Sequence, residues 1–190
     1  MTTPLSGAGL SRRRFLQLGT IGSASLAVLG TTASLSGCSR PASPAAGFDF
    51  LSADDVVMLR ALLPVANGSA YAAAAARNPD LGETALQRID ALCARMDPPA
   101  QAELRKLFDL LGWSLFRRLA CGFSDGWSEA APATLTAFLE RWRQSSVGLF
   151  NAGHRGLVKL AGAGFWSQPA TWAASTYPGP PAFAVSALNR

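Results

Sequence analysis

An all-α domain, a small bundle of about five helices with an extended proline-rich C-terminal tail, is the fold this sequence predicts, on three observations. Apolar residues recur at helical spacing in one segment after another between Val56 and Phe165. Several of these segments open on a residue that starts helices well, such as Ser52, Asp97 or Pro132. No stretch alternates apolar and polar residues between hairpin turns, so strands are not expected, and no internal repeat is visible. The chain has 190 residues, 49% apolar and 15% charged, which suffices for one medium-sized core and argues against disorder along its whole length.

Ten residues into the sequence stands Ser11-Arg12-Arg13-Arg14-Phe15-Leu16, followed by an uncharged stretch from Leu18 to Leu35. Residues 1–37 therefore read as a signal peptide with a twin-arginine head, whose recognition elements are Ser11, Arg12, Arg13, Phe15 and Leu16. A transmembrane anchor is the competing reading, but the stretch is rich in Gly, Ser and Thr and would hold weakly in lipid. Twin-arginine export carries proteins across the bacterial inner membrane already folded, as is needed when a cofactor or partner is acquired in the cytoplasm. Leu35-Ser36-Gly37-Cys38 then looks like the lipobox of bacterial lipoproteins. Ser36 and Gly37 are small enough for a peptidase cleft, and only a thiol such as that of Cys38 can form the thioether to diacylglycerol. Acyl chains together would anchor the protein stably; ordinary cleavage beside an incidental cysteine is the alternative. Ser39 in place of Asp does not favour retention at the inner membrane.

Residues 38–47 are dominated by Ser, Pro, Ala and Gly and read as a flexible tether; the helical domain is expected over 48–190. Ser52, Asp54 and Asp55 ahead of Val56, Leu59, Leu62 and Leu63 predict a capped helix from about Ser52 to Val65, ended by Asn67-Gly68. The alanine-rich run from Ala70 to Leu81 reads as a frayed helix or an ordered loop. A second helix is expected over Glu83–Met96. Asp97-Pro98-Pro99 restarts a helix whose stripe, Leu104, Leu107, Phe108, Leu111, Leu115 and Leu119, runs unbroken in the sequence. Residues 122–131 read as a loop, Pro132 opens a helix bearing Leu135, Phe138, Leu139 and Trp142, and a last helix is expected from about Ser146 to Trp166. Gly162-Ala163-Gly164 inside it suggests close helix packing. The tail over 176–190 contains Tyr177-Pro178-Gly179-Pro180-Pro181, which cannot be helix or central strand and is expected to lie extended against its own domain or a partner.

Composition excludes several functions. The net charge of +5 shrinks when Arg12, Arg13 and Arg14 leave with the signal, since fourteen basic residues then face twelve acids. So balanced a domain gives no footprint for nucleic acid. A single histidine, no Cys-x-x-Cys and no carboxylate cluster leave no metal signature, and neither a nucleophile elbow nor a phosphate loop is present. His154 as a general base lacks a nearby carboxylate in sequence, the nearest acid upstream being Glu140. Cys93 and Cys121, in an oxidising compartment, leave two readings open: a disulfide, or two small buried apolar groups. All five tryptophans, Trp113, Trp127, Trp142, Trp166 and Trp172, fall in the C-terminal half, where most must be core. Some of them, with Arg117, Arg118, Arg141 and Arg143 nearby, are candidates for interface anchors.

The leader, the helix start Leu51-Ser52-Ala53-Asp54-Asp55 and the C-terminal run Phe165-Trp166-Ser167-Gln168-Pro169-Ala170-Thr171-Trp172 followed by Tyr177 to Pro181 together resemble the small subunits of periplasmic flavin dehydrogenases. The group is typified by subunit 3 of gluconate 2-dehydrogenase and the small subunits of fructose and sorbitol dehydrogenases. Most of the mature chain is covered, but only the leader and tail are specific, and the lipobox is a departure. The resemblance implies a non-catalytic chain that binds no cofactor itself and escorts a larger FAD-containing subunit of the glucose-methanol-choline type, often joined by a multihaem cytochrome c. It also implies a periplasmic location, and a partner contact for which Trp166, Trp172, Tyr177, Pro178, Gly179 and Pro180 are the candidates. A stand-alone envelope lipoprotein with a ligand-binding or structural role is the rival, and an enzyme built on His154 is the third reading.

Overall fold

The computed structural model describes residues 43–181, 183 and 184, all within the unit Pro41–Arg190. The expected signal over 1–37, with Ser11, Arg12, Arg13, Phe15 and Leu16, and the expected lipidation site Cys38 lie outside the described residues. Those described form an all-α fold: α1 (Ala53–Ala75), α2 (Leu81–Ala94), α3 (Pro98–Gly112), the short α4 (Ser114–Phe116) running into a π-helical turn (Arg117–Cys121), α5 (Pro132–Arg143), α6 (Gly148–Trp166) and a 3-10 helix (Pro169–Ser175). Five of these helices have twelve or more residues.

The starts follow local chemistry. Ser52 and Asp55 cap α1 reciprocally: the Ser52 backbone N–H donates to Asp55 Oδ2 (2.8 Å) and the Asp55 N–H to Ser52 Oγ (3.3 Å). Asp97 accepts from the Ala100 N–H at the head of α3, and Pro132 is the first residue of α5. Two boundaries differ from expectation. Gly68 breaks the helical pattern with φ 56° and ψ −137°, but the helix resumes beyond it to Ala75. One residue of the alanine-rich turn anchors it: Ala74 is fully covered beside Leu81 and Phe165, while Ala72 and Ala73 stay exposed. The stripe expected from Leu104 to Leu119 also does not form one helix. Trp113 is extended (φ −77°, ψ 118°), and the Arg117 guanidinium folds back to donate to the carbonyls of Leu111 (3.2 Å) and Gly112 (2.6 Å). An arginine thus serves the orphan carbonyls that end α3, and Leu115 and Leu119 are carried out to the surface, 47% and 76% exposed.

The core is continuous from Leu59, Leu62 and Leu63 of α1 through Leu86 and Ile89 of α2 to Phe138 and Trp142 of α5 and Leu157 of α6. α1 is long and apolar enough to cross a membrane, but five of its apolar side chains, among them Val56, Met58 and Leu62, are buried in this core. Close approach of α6 is set by two glycines. A Cβ at Gly164 would lie 2.6 Å from the Ala85 carbonyl oxygen, and one at Gly153 would lie 2.6 Å from the Trp142 ring. The part of the expected tether that is described also turns back on the domain. The Ala45 N–H donates to the Leu51 carbonyl (2.8 Å), and Ala45, Phe48 and Phe50 pack on the core.

A polar knot fixes that entry segment. Buried Asp90 accepts the backbone N–H groups of Asp49, Phe50 and Leu51, each at 2.8 Å. Arg105 forms an ion pair with Asp55 (2.6 Å), donates to the Phe50 carbonyl (3.0 Å) and lies over the Phe50 ring at 4.7 Å. No sequence motif announces this arrangement, because the burial of Asp90 depends on residues about forty positions away.

Candidate partner-binding surfaces

The six residues expected to meet a partner divide into those that hold the tail and those left open. Gln168, buried beneath them, donates from Nε2 to the carbonyls of Gly164 (3.1 Å) and Leu81 (3.3 Å), and the fully buried Thr171 hydroxyl donates toward the carbonyls of Gln168 and Phe165. These two side chains sew the 3-10 helix onto α6 and α2. Trp172 is half-buried; its indole N–H donates to the Trp166 carbonyl (3.0 Å), and the Tyr177 ring meets it edge-to-face at 5.2 Å. The Tyr177 N–H donates to the Trp172 carbonyl (3.1 Å). Gly179, at φ 95°, lies so close that a Cβ there would sit 3.0 Å from the indole. The described tail therefore folds on its own domain. Trp166, Tyr177, Pro178 and Pro180 remain exposed, while Trp172 and Gly179 face each other.

A second surface lies between the π-helical turn, the end of α5 and the start of α6. Phe116, Leu119, Ala120, Arg141, Trp142, Ser145 and Phe150 line a hollow of about 420 Å³. Its floor is a run of rings: Trp142 stacks on Phe150 (5.2 Å, 19°) and meets Phe138 (4.9 Å) and Phe116 (6.3 Å) edge-to-face. The indole N–H of Trp142 is committed to the Ala120 carbonyl and that of Trp127 to the Leu111 carbonyl. The exposed side chains of Leu119, Val147 and Leu149 belong to the segments that border it.

A third surface is the seam of α2, α3 and α6. Leu92, Met96, Leu104, Gly156, Lys159, Leu160 and Ala163 line one hollow of about 320 Å³. A second, of about 510 Å³, adjoins it through Leu92 and Ala163 and adds Arg88, Ala91, Arg95 and Ser167. Among the described residues, no ion pair or side-chain hydrogen bond engages Arg88, Arg95 or Lys159. Leu92, at helical spacing from the buried Ile89, is nonetheless 41% exposed on the wall of this trough, while Met96 packs partly against the core.

The titratable groups outside these surfaces are structurally engaged. Cys93 and Cys121 are both buried and unbridged, so the structure follows the reading of two small apolar groups and not a disulfide. Burial pushes each thiol up to about 12, with Asp90 adding to the effect at Cys93. His154 is half-buried, and its pKa is lowered first by burial and then by the Arg143 charge, against the opposing pull of Glu140. Glu140 itself is taken by Arg143, through two hydrogen bonds of 2.7 and 2.6 Å, and is held below the usual carboxylate range by them. The carboxylate nearest His154 is therefore not oriented on the imidazole. Among the described residues, no group of three or more His, Cys, Asp or Glu could hold a metal.

Compared with known proteins, the chain matches no protein family, no curated protein and no solved structure.

Proposed function

We propose that this chain is a non-catalytic small subunit that escorts an FAD-dependent alcohol or sugar dehydrogenase through the twin-arginine route and stabilises it in the periplasm. The observation that carries the reading is the order Ser11-Arg12-Arg13-x-Phe15-Leu16 ahead of a domain with no motif for catalysis. A folded passenger with a preloaded flavin needs that route, and a small helical domain without reactive groups needs another chain to justify it. Two open surfaces on so small a domain, the aromatic hollow and the trough of α2, α3 and α6, support a binding role, since exposed apolar patches mark interaction sites. In this reading Cys38 carries the lipid that ties the complex to the membrane, and the flavin belongs to the partner.

The test is to purify a tagged chain from membranes and read the flavin spectrum of what accompanies it. A yellow flavoprotein of the glucose-methanol-choline type is expected; recovery of the chain alone counts against the proposal. Replacing Arg12→Lys and Arg13→Lys should strip dehydrogenase activity from the periplasm, and unchanged activity there removes the escort role. The apolar trough along α2 and α6 favours one rival, a stand-alone lipoprotein holding a small apolar ligand, which predicts a colourless monomer.

A further inference from the structure

We infer that the trough along α2, α3 and α6 is the seat of an amphipathic helix of the flavoprotein, one whose apolar stripe is flanked by Asp or Glu. The inference rests on the escort reading above and names where and by what chemistry the partner is gripped. Three features of the trough select this occupant. Its floor is aliphatic, from Leu92, Met96, Leu104, Leu160 and Ala163, and it lies in the seam of packed helices, where a further helix lays its apolar face. Its rim carries Arg88, Arg95 and Lys159, none of them paired among the described residues, and no carboxylate lines either hollow. Arg88 and Leu92 on α2 and Arg95, the residue that caps its C-terminus, follow one another at helical spacing, so apolar and cationic groups alternate along one side of the groove and favour acidic residues beside a partner's apolar stripe.

Gly156 supplies the means of testing this. Unlike Gly153 and Gly164, it has nothing within 4 Å of where a Cβ would stand, yet it sits in the interior of α6, where glycine is the poorest choice short of proline. Its bare backbone is part of the trough wall. A larger side chain there fills the groove and does not crowd the core.

The experiment uses the exported full-length chain and measures flavin recovered per tagged chain for four proteins. Wild type sets the reference, Gly156→Leu blocks the trough, Arg88→Glu/Arg95→Glu/Lys159→Glu reverses its rim, and Arg77→Glu reverses an exposed charge that lines neither hollow. Flavin recovery at least about tenfold lower for the blocked and the reversed chains, with Arg77→Glu near the reference, supports the inference. Full recovery by both trough variants overturns it while leaving the escort reading intact; a wild type that brings no flavin overturns the escort reading and this inference with it. Should Gly156→Leu fold poorly, the charge-reversed chain decides alone, its exposed substitutions leaving the core untouched. A benzophenone amino acid installed at Leu92 then identifies the occupant by mass spectrometry. A cross-link to a flavoprotein segment with apolar residues at three- and four-residue spacing and flanking acids supports the inference, whereas a cross-link to a basic or non-helical segment, to a second copy of this chain, or to a lipid overturns it.

Discussion

The entry side of the domain and its aromatic side are held by different forces. At the entry, a stretch of irregular backbone is fixed by direction: Asp90 accepts three N–H groups, and Arg105 ties Asp55 to the Phe50 carbonyl. On the other side, from Phe116 to Phe150, rings meet edge-to-face or stacked at 4.9 to 6.5 Å, with single indole N–H bonds to backbone carbonyls. Charge-assisted bonds specify one geometry, while ring packing supplies area and tolerates irregular backbone such as the π-helical turn and the loop before α5. Large apolar side chains emerge on the aromatic side: Leu119 and Leu149 are 76% and 66% exposed there.

The strongest way to break this contrast is to remove the ring that most of the aromatic side touches. Trp142 is 1% exposed and contacts Phe116, Phe138 and Phe150, so Trp142→Ala should cost about 4 kcal/mol in urea unfolding. Asp90→Ala should follow at about 3 kcal/mol, because three backbone donors lose a charged acceptor at once, at least one of them buried. The two losses should also differ in kind. Hydrogen exchange at Asp49, Phe50 and Leu51 should rise in Asp90→Ala far beyond the global loss, and no comparable local opening is expected in Trp142→Ala. Uniform exchange in both would mean that the entry segment is not separately latched.

How much of this was legible in the sequence follows the same line. Helix starts at Ser52, Asp97 and Pro132 depend on neighbours within four residues and stand where the sequence placed them. The break at Trp113 depends on Arg117 reaching back to two carbonyls, and the burial of Ala74 depends on Phe165, ninety-one positions further on; periodicity carries neither. Among the candidate contact residues, Trp172 and Gly179 could not be separated from Trp166 without knowing that the tail folds back onto the indole. The trough was hidden for the opposite reason. Leu92, Met96 and Leu104 have core spacing, and nothing in a helical pattern says that they line an open hollow.

Glycine on α6 sharpens the contrast between packed and open faces of one helix. Gly153→Ala, whose methyl would stand 2.6 Å from the Trp142 ring, should lose about 2 kcal/mol. Gly156→Ala, three residues on with nothing within 4 Å, should gain about 1 kcal/mol from helix propensity. Equal signs for the two would show that α6 does not divide as described. The thiols give a companion measure in a Cys38→Ser chain. Cys93 and Cys121, buried and raised to about 12, should resist iodoacetamide at pH 8 in the folded protein and both react on unfolding. Two unreactive sulfurs after unfolding would mean that they are bridged.

The smallest effect is expected from His154, at the edge of the aromatic side. Burial and the Arg143 charge lower its pKa in the folded protein below the ordinary value of 6.5, with Glu140 acting the other way and Arg155 adding to the depression. In the unfolded chain the imidazole takes up its proton near pH 6.5, whereas the folded protein resists until the pH is lower, so the unfolded state binds more protons between the two values. Stability attributable to this residue is thus complete above pH 6.5 and declines as the pH falls through that range. His154→Gln carries no titration there. Its melting temperature, compared with that of the wild type, should be near parity at pH 8 and move ahead by pH 5, by less than any of the changes above because the ring is partly solvated. A gap that moves the other way would require a carboxylate oriented on the imidazole, and Glu140 would then have to be released from Arg143 to supply it.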